Sequence, residues 1–428
     1  MVGKSDADAQ QYYIDGEELN AFLESDELNF QGMAYSWEGE GVTHLRFKPL
    51  SHAFGIVSVA SFAKCNSKHP ESIECKVDVD EDGNATINGI KANIIPARKD
   101  LYSRSKGLLE VDVLSAKRVL IMGLGSGGAP IALELAKAGV GEFAISDFDR
   151  LEPHNLVRHV CYVNDLGRLK TDAIADAING KNPYAKVDKY PIDLTANLDI
   201  LRQEVEKCDL VICGTDNNKS RYVLSKLLIE LGKPAIFGGC VTRAEGGDVF
   251  IYRPGSACYF CLVGMGAIDV ANEELSDIKS ARKAGKIAEY QTDQDVEAKI
   301  QVGLSSDIEP ISNMMTKLAL VELSRGTDSG ISSLERELTC NHYFWANRRD
   351  RLYSSFCKEN IENVKVPTIL RWYGGTVEKL AECSVCGQIT EQFNDSMAID
   401  NLVELEKLKK AFRNELTKAR TQNESRKE

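Results

Sequence analysis

Hydrophobic and polar positions alternate in two different ways along the chain. In the first hundred residues the apolar runs are short and strand-like, as in Gly55–Ala60. The dipeptide Asp82-Gly83 lies between the strand-like segments Cys75–Val79 and Ala85–Ile90, which predicts a hairpin turn. We therefore predict a small β-rich N-terminal accessory domain over residues 1–100.

From Lys117 onward, buried strands alternate with helices. The predicted strands are Arg118–Met122, Phe143–Ser146, Leu210–Cys213, Pro234–Phe237 and Asp248–Tyr252, and the predicted helices are Gly127–Ala138, Lys170–Ile178, a segment ending at Leu231, and Ile311–Leu323. Continuous apolar strands are typical of parallel sheets that are covered on both faces. This rhythm predicts an α/β fold, a doubly wound and mostly parallel Rossmann-like sheet.

Two polar stretches interrupt or follow this pattern. Residues 266–305 are polar, with charged helical stretches and no strong strand. In residues 388–428, leucines and Phe412 recur at helical spacing, which predicts a C-terminal helical tail. A docked or solvated helix is the simpler interpretation, and a partner-binding helix is the alternative.

The chain has 428 residues with a formal net charge of −12, and 43% of the residues are hydrophobic. This composition fits a folded protein of two or three domains. The acidic balance argues against a nucleic-acid-binding protein, which needs a basic face to displace counterions. We find no cleavable signal and no apolar run that could span a bilayer, so we expect a cytoplasmic protein without a membrane partner.

A glycine loop follows the first predicted strand of the sheet and opens a helix. Its glycines are Gly123, Gly125, Gly127 and Gly128, in a G-x-G-x-x-G pattern. Such a loop lets backbone N–H groups approach a phosphate at the positive end of the helix dipole. Asp147 and Asp149 end the next strand, where a carboxylate can bind ribose hydroxyls. These features alone fit a dinucleotide-dependent dehydrogenase equally well.

Further along the chain lie two cations and a carboxylate that a dehydrogenase does not need. Arg158 follows Asn155, Lys170 begins a helix, and Asp216 follows a buried strand. Attack on an α-phosphate builds negative charge and releases pyrophosphate, and cations and a carboxylate-bound magnesium ion stabilise that charge. The set therefore favours nucleotidyl transfer from ATP. Taken singly, the cations could be surface ion pairs and Asp216 could cap a helix.

Together these segments resemble the adenylation domain of the ThiF/MoeB/HesA superfamily, which includes the ubiquitin-activating enzymes. The matching pieces are Gly123–Gly128, Asp147-Phe-Asp149, Asn155-Leu-Val-Arg158, Lys170 and Thr215-Asp-Asn217, with Tyr102-Ser-Arg104 upstream and Arg221, Gly247–Tyr252 and two cysteine pairs downstream. The resemblance covers about residues 101–387, which we take as one adenylation domain. The family often has Gln after the motif arginine, where this chain has His159.

The resemblance implies a role for each matched residue. Asp149 would bind ribose, and Asp147, Asn155 and Asn217 would belong to the same nucleotide site. Arg158 and Lys170 would hold phosphates, and Asp216 would bind magnesium. Arg104 would act in the partner subunit's site, which implies a homodimer.

Four of the twelve cysteines form two C-x-x-C pairs, Cys258/Cys261 and Cys383/Cys386. Two such pairs fit a structural zinc site, because each pair presents two thiolates to one ion. Many members of the family that this chain resembles place one pair after the sheet and one near the C-terminal end. We predict a zinc staple that fastens the C-terminal segment to the domain and has no catalytic role.

Many members of that family pass the acyl group to their own cysteine, which lies in a loop crossing over the nucleotide site. The resemblance implies that residues 266–305 are this crossover loop. Here no cysteine lies between Cys261 and Cys340. Cys240 is the candidate nearest the expected active centre, and Cys340 and Cys357 are weaker ones. Cys208 and Cys213 flank a buried strand, so we expect them in the core. The simplest interpretation is a chain that makes only the adenylate.

The expected reaction is therefore ATP-dependent adenylation of the C-terminal carboxylate of a small ubiquitin-like or sulfur-carrier protein ending in glycine. The extra N-terminal domain and tail suggest a dedicated partner such as a conjugating enzyme, within a bacterial ubiquitin-like conjugation pathway of antiviral defence. Three alternatives are an enzyme that adenylates a peptide or a tRNA base, an NAD-binding oxidoreductase, and an inactive binding scaffold.

Overall fold

A computed structural model provides the structure. It describes residues 11–25, 29–37, 42–46, 56–64, 73–80, 84–95, 101–241, 244–265, 303–348, 360–361, 364–365 and 369–387. The contacts divide the chain into two compact units, Met1–Lys106 and Gly107–Glu428. The expected tail and most of the crossover loop lie outside the described residues, and the domain limits at residues 100 and 387 stay predictions.

The first unit contains a closed β-barrel. Its elements are β1 (Gln11–Asp15), α1 (Gly16–Glu24), β2 (Asn29–Trp37), β3 (Val42–Arg46), β4 (Ile56–Lys64), β5 (Ile73–Val79), β6 (Ala85–Ile87) and β7 (Ile90–Ile95). The strand order is β1-β3-β2-β4-β5-β6-β7, and β1 closes the barrel by pairing with β7. Ile14, Phe22 and Ile87 lie in its apolar core.

The second predicted strand of the hairpin was too long. Ala85–Ile90 is two strands, because Asn88 and Gly89 form a tight turn between Ile87 and Ile90. Both turn residues have positive φ, 53° and 79°. An Asn-Gly pair is the usual sequence for a two-residue hairpin turn of that kind, so the signal was present in the sequence.

The second unit is built on one large sheet. The strands of this unit are β8 (Arg118–Met122), β9 (Glu142–Ser146), β10 (Lys186–Tyr190), β11 (Leu210–Cys213), β12 (Ala235–Cys240), β13 (Gly246–Tyr252), β14 (His342–Ala346), β15 (Asn360–Ile361), β16 (Val364–Lys365) and β17 (Arg371–Gly375). Its helices are α2 (Val111–Ser115), α3 (Gly128–Lys137), α4 (Lys170–Lys181), α5 (Leu198–Lys207), α6 (Asn218–Leu231), α7 (Tyr259–Gly264), α8 (Ser305–Leu323) and α9 (Leu334–Glu337).

Eight strands form the sheet in the order β10-β9-β8-β11-β12-β13-β14-β17, and β15 pairs with β16. The first five run parallel, and β13, β14 and β17 continue the sheet in antiparallel pairings. The predicted doubly wound, Rossmann-like sheet is confirmed. Its strand order reverses between β8 and β11, and a ligand crevice is expected beyond the carboxyl ends of those two strands.

Helices cover both faces of the sheet. Successive side chains of a strand point to opposite faces, so Ile121 packs in one core cluster and Leu120 in the other. Helices α3, α4 and α8 contribute to the first cluster, and α5, α6 and α7 contribute to the second. Among the described residues, no helix combines the length and apolar character needed to cross a bilayer.

Candidate functional site

The glycine loop connects β8 to α3, and the backbone packs very closely at two of its glycines. Gly123 has a φ of +87°, and a Cβ atom there would lie 3.0 Å from the carbonyl carbon of Gly214, after β11. A Cβ atom on Gly128 would lie only 1.9 Å from the carbonyl oxygen of Gly123. At Gly125 and Gly127 an added Cβ atom would meet nothing within 4 Å. Two glycines therefore pack the loop, and two face open space.

Asp147 supports the loop from the end of β9. One carboxylate oxygen accepts the backbone N–H of Leu124 at 2.8 Å, and the other accepts the N–H of Asp149 at 2.9 Å. Burial raises the pKa of Asp147, and Lys170 and the two backbone donors oppose that shift. Asp147 therefore shapes the loop, whereas the exposed carboxylate of Asp149 is the better placed of the two for a ligand.

Two further side chains hold the loop by its carbonyl groups. His159 Nε2 is 2.8 Å from the carbonyl oxygen of Leu124, and the hydroxyl of Ser312 on α8 donates to the carbonyl of Gly127 at 3.0 Å. His159 and Ser312 are both buried. Burial lowers the pKa of His159. His159, where the family often has Gln, therefore points into the protein against the loop.

Lys170 begins α4 and lies beside the two carboxylates that follow β9. Its Nζ atom is 2.9 Å from Asp149 Oδ2 and 3.7 Å from Asp147 Oδ1, and the residue is buried. Burial alone would lower the pKa of Lys170, but Asp147, Asp149 and the more distant Asp216 together raise it. The ammonium group is therefore charged and buried, which the ammonium group of a surface ion pair would not be.

Asp216 lies in the turn that joins β11 to α6. Its side chain is exposed, and it is close enough to Lys170 to influence that group electrostatically. The helix cap considered for Asp216 belongs instead to Asn217, whose side chain accepts the N–H of Ser220 at 2.9 Å. The Asp216 carboxylate is thus not engaged in capping and points to the same end of the sheet as Lys170.

Arg158 and Asn155 lie on the segment between Asp149 and Lys170. Asn155 Oδ1 accepts the N–H of Glu152 at 3.0 Å and so caps a 3₁₀ turn. The backbone N–H of Arg158 donates to the carbonyl of Asn155 at 2.9 Å, which fixes the start of the Arg158 side chain. Arg158 is half-buried.

Arg221, to which no role was assigned in the sequence analysis, supports the turn after β11. Its guanidinium donates to the carbonyl oxygens of Thr215 and Gly238 at 2.8 and 2.9 Å, and to the hydroxyl of Tyr259 at 3.1 Å. Gly239 leaves room for it, since a Cβ atom there would lie 2.6 Å from the guanidinium. Arg221 therefore fixes the turn that carries Asp216.

The remaining candidates are more scattered. Arg104 is exposed in a 3₁₀ turn, Ser103–Ser105, of the first unit. Cys240 ends β12 and is half-buried, as is Cys340, and Cys357 lies outside the described residues. Cys208 and Cys213 are in the core as predicted, and burial raises the pKa of the Cys208 thiol to about 12.

The four paired cysteines converge on one point beside α7. The Sγ atom of Cys258 lies 3.8 Å from that of Cys261 and 3.6 Å from that of Cys383, and the Sγ atoms of Cys261 and Cys386 are 3.4 Å apart. All four sulfur atoms lie within 4.8 Å of one another. A tetrahedral zinc ion with ~2.3 Å bonds to sulfur separates its ligands by about 3.8 Å, whereas a disulfide bond is about 2.0 Å long. The arrangement therefore fits a tetrahedral metal ion.

Comparison with known proteins places this site in a family. Residues 101–346 match the ThiF family, and that span is more than half of the 428-residue chain. The chain belongs to the ThiF family. The glycine loop, Lys170, Asp216 and the first cysteine pair all fall inside the matched span.

Curated relatives match about a third of this chain. The chain is 33% identical over 176 residues to the sulfur carrier protein adenylyltransferase of Thermus thermophilus, covering 38% of this chain and 63% of that protein. It is 38% identical over 136 residues to the probable adenylyltransferase/sulfurtransferase MoeZ of Mycobacterium tuberculosis, covering 31% and 33%. It is 34% identical over 168 residues to the adenylyltransferase and sulfurtransferase MOCS3 of Aedes aegypti, covering 38% of each. The match therefore spans less than two thirds of each relative.

Solved structures match more remotely. A crystal structure of E. coli MccB with MccA-N7isoASN is 18% identical with a TM-score of 0.46, covering 65% of this chain and 69% of that one. A second MccB structure, with AMPCPP and MccA, has a TM-score of 0.48 at 18% identity, covering 69% and 76%.

Proposed function

We propose that this ThiF family chain binds ATP with magnesium and adenylates the C-terminal carboxylate of a small ubiquitin-like or sulfur-carrier protein. The observation that carries the proposal is the placement of Lys170. Its buried ammonium group contacts Asp149, lies within electrostatic reach of Asp216, and is 3.7 Å from the Asp147 carboxylate that supports the glycine loop. A fixed cation at that place suits the charge that develops on phosphate oxygens during nucleotidyl transfer.

In this proposal each part of the nucleotide is bound by a different segment of the site. The open glycines Gly125 and Gly127 let the loop N–H groups approach the phosphates. Asp149 gives up its contact with Lys170 when ATP binds and instead accepts hydrogen bonds from the ribose hydroxyls. Lys170 and Arg158 neutralise the phosphates. The exposed Asp216 carboxylate holds magnesium, which supplies charge stabilisation for the departing pyrophosphate.

The carrier substrate is supported by the names of the relatives, one of which is a sulfur carrier protein adenylyltransferase. Adenylation needs a free carboxylate at the end of a chain that can enter the crevice, and a terminal glycine is the slimmest such end. Cys240, at the end of β12, is the candidate nucleophile should a thioester form. A conjugating enzyme and a bacterial antiviral pathway stay predictions from the sequence.

We also propose that the enzyme is a homodimer in which Arg104 serves the partner's site. Several apolar side chains near the site are exposed, which supports a protein partner on this surface. They are Phe148, Val157, Tyr162 and Val163, with exposed fractions between 63% and 82%. Arg104 itself is exposed and so is free of the protein core.

The four cysteines would hold a structural zinc ion. All four positions of the tetrahedron are occupied by sulfur, so no position is left for water or substrate. The ion would join α7 to the segment that follows β17 and would take no part in the chemistry.

The test is the exchange of labelled pyrophosphate into ATP by the full chain. The assay uses a panel of ubiquitin-like and sulfur-carrier proteins that end in glycine, each paired with a version lacking that glycine. We expect exchange that depends on one intact carrier and on magnesium. Asp216→Asn should reduce the exchange rate about a hundred-fold or more, because one charge-stabilising group is lost.

Asp209→Asn is the matched control for Asp216→Asn. Asp209 precedes the same strand β11 at its opposite end, where it pairs with Lys117 at 3.2 Å. Exchange by this variant should stay within about two-fold of the wild-type rate, since surface pairs contribute little. Absence of exchange with every carrier, together with NAD binding, would refute adenylation in favour of an oxidoreductase. A reductant-sensitive carrier adduct on Cys240 would add a thioester step.

A further inference from the structure

The backbone of Leu124, inside the glycine loop, is held at both its N–H and its carbonyl group. Asp147 accepts its N–H at 2.8 Å, and the ring of His159 lies 2.8 Å from the neighbouring carbonyl oxygen of the same residue. Leu124 is itself fully buried. The direction of the N–H groups that follow it in the loop therefore depends on two ionisable side chains.

The hydrogen bonds of His159 require one protonation state. The backbone N–H of Cys161 donates to Nδ1 at 3.2 Å, so Nδ1 must carry a lone pair. The Leu124 carbonyl can only accept, so Nε2 must carry the proton. Only the neutral imidazole with its proton on Nε2 satisfies both contacts. In the imidazolium form Nδ1–H would face the N–H of Cys161, and one contact would be lost.

The surroundings of the ring favour the neutral form. Burial is the largest influence and lowers the pKa of His159, and nearby Lys170 lowers it further. Asp147 and Asp165 act in the opposite direction, as does the hydrogen bond to Leu124, without reversing the shift. The ring is therefore neutral at physiological pH and becomes protonated only in acid.

We propose that His159 is a positioning residue for ATP, which acts by fixing the Leu124 peptide and so aiming the loop N–H groups at the phosphates. Protonation turns Nδ1 into a donor that faces the Cys161 N–H, which pushes the ring out of its place between Cys161 and Leu124, and ATP binding weakens. This inference rests on the proposed binding of ATP at the glycine loop. It assigns a pH-dependent role to a residue that does not itself touch the nucleotide.

The test compares His159→Gln, His159→Ala and Ser312→Ala in the full chain. A glutamine amide can donate to the Leu124 carbonyl and accept from Cys161, and it does not ionise. Ser312→Ala is the matched control, because it removes a hydrogen bond to the same loop without removing a titratable group. The dissociation constant for ATP with magnesium is measured by calorimetry between pH 5.5 and pH 8.

At pH 7.5 we expect about five-fold weaker binding for His159→Ala, the effect of one lost hydrogen bond, and binding within about two-fold of wild type for His159→Gln. Below about pH 6.5, wild type should weaken progressively relative to His159→Gln. Taking this ratio cancels the ionisation of ATP itself. Because Ser312→Ala keeps His159, its dissociation constant should change with pH in parallel with that of wild type, and the ratio of the two constants should stay nearly the same at every pH.

A ratio of wild type to His159→Gln that does not change with pH would overturn the inference. A second readout needs no nucleotide. Nitrogen NMR of the six histidines, with the His159 signals assigned through the variants, should show the proton on Nε2. The protection factor of the Leu124 amide, which compares its exchange rate with the intrinsic rate at the same pH, should fall in acid in wild type but less in His159→Gln. Failure of wild type to bind ATP at pH 7.5 would refute the proposed function, and the NMR result would then still show whether His159 holds the glycine loop.

Discussion

Replacing Gly128 by alanine tests the packing of the glycine loop directly. The new Cβ atom would lie 1.9 Å from the carbonyl oxygen of Gly123 and 3.1 Å from its carbonyl carbon. Both are backbone atoms, so the loop and α3 must move apart by about 1 Å. Overpacking of this kind costs about 1–3 kcal/mol, and alanine returns up to ~1 kcal/mol of helix propensity. We expect a net loss near 2 kcal/mol, or a melting temperature roughly 4–8 °C lower.

The matched variant is Gly125→Ala, whose Cβ atom would meet nothing within 4 Å. Gly125→Ala should keep the wild-type melting temperature but weaken ATP binding, because its methyl group occupies space near the phosphates. Gly128→Ala should lose both stability and at least about ten-fold in ATP affinity, since misaimed N–H groups lose charge-assisted hydrogen bonds. Scanning calorimetry and ATP titration measure the two effects. Wild-type stability in Gly128→Ala, or equal destabilisation by Gly125→Ala, would refute this account of the loop.

Three further predictions concern other parts of the second unit. Lys170→Met should lower the rate of pyrophosphate exchange about a hundred-fold, whereas Lys189→Met, which removes an exposed lysine paired with Asp172, should have little effect. Mass spectrometry of the metal content should find about one zinc ion per chain. Cys383→Ser should lose this zinc and should melt several degrees lower than wild type. A full zinc content in Cys383→Ser would contradict the proposed site. Buried Glu204 contacts Arg118 at 2.5 Å; burial would raise its pKa, but the hydrogen bonds from Lys207, Arg118 and Tyr190 lower it overall. The stabilisation from ionised Glu204 is therefore fully present above about pH 4.3, its unfolded pKa, and is lost as the pH falls through the lower pKa of the folded state. Glu204→Gln should lower the free energy of unfolding by about 3 kcal/mol at pH 7. In urea unfolding at a series of pH values, the variant should lose less stability than wild type as the pH falls.

The sequence predicts the centre of the sheet better than its edge. Strands β8, β9 and β11 are buried on both faces, so their apolar runs stand out in the sequence. Strand β10 and helix α5 were missed. The first is an edge strand rich in charged residues, and the second buries only a narrow stripe that includes Leu201 and Val205.

The candidate site divides in a similar way. The glycines, Lys170 and Asp216 could be found because each lies at a fixed offset from the end of a strand or the start of a helix. The supporting contacts of the loop could not, because they join distant parts of the chain. His159 is 35 residues from Leu124, and Ser312 is 185 residues from Gly127. No local pattern marks such a pair.

Strand β10 leaves one edge of the sheet facing solvent. Lys186, Asp188 and Lys189 are exposed along its five residues, and Asp188 is tied to Arg118 at 2.7 Å. A strand from another molecule could pair with this edge only by stripping water from those charges, which discourages edge-to-edge aggregation.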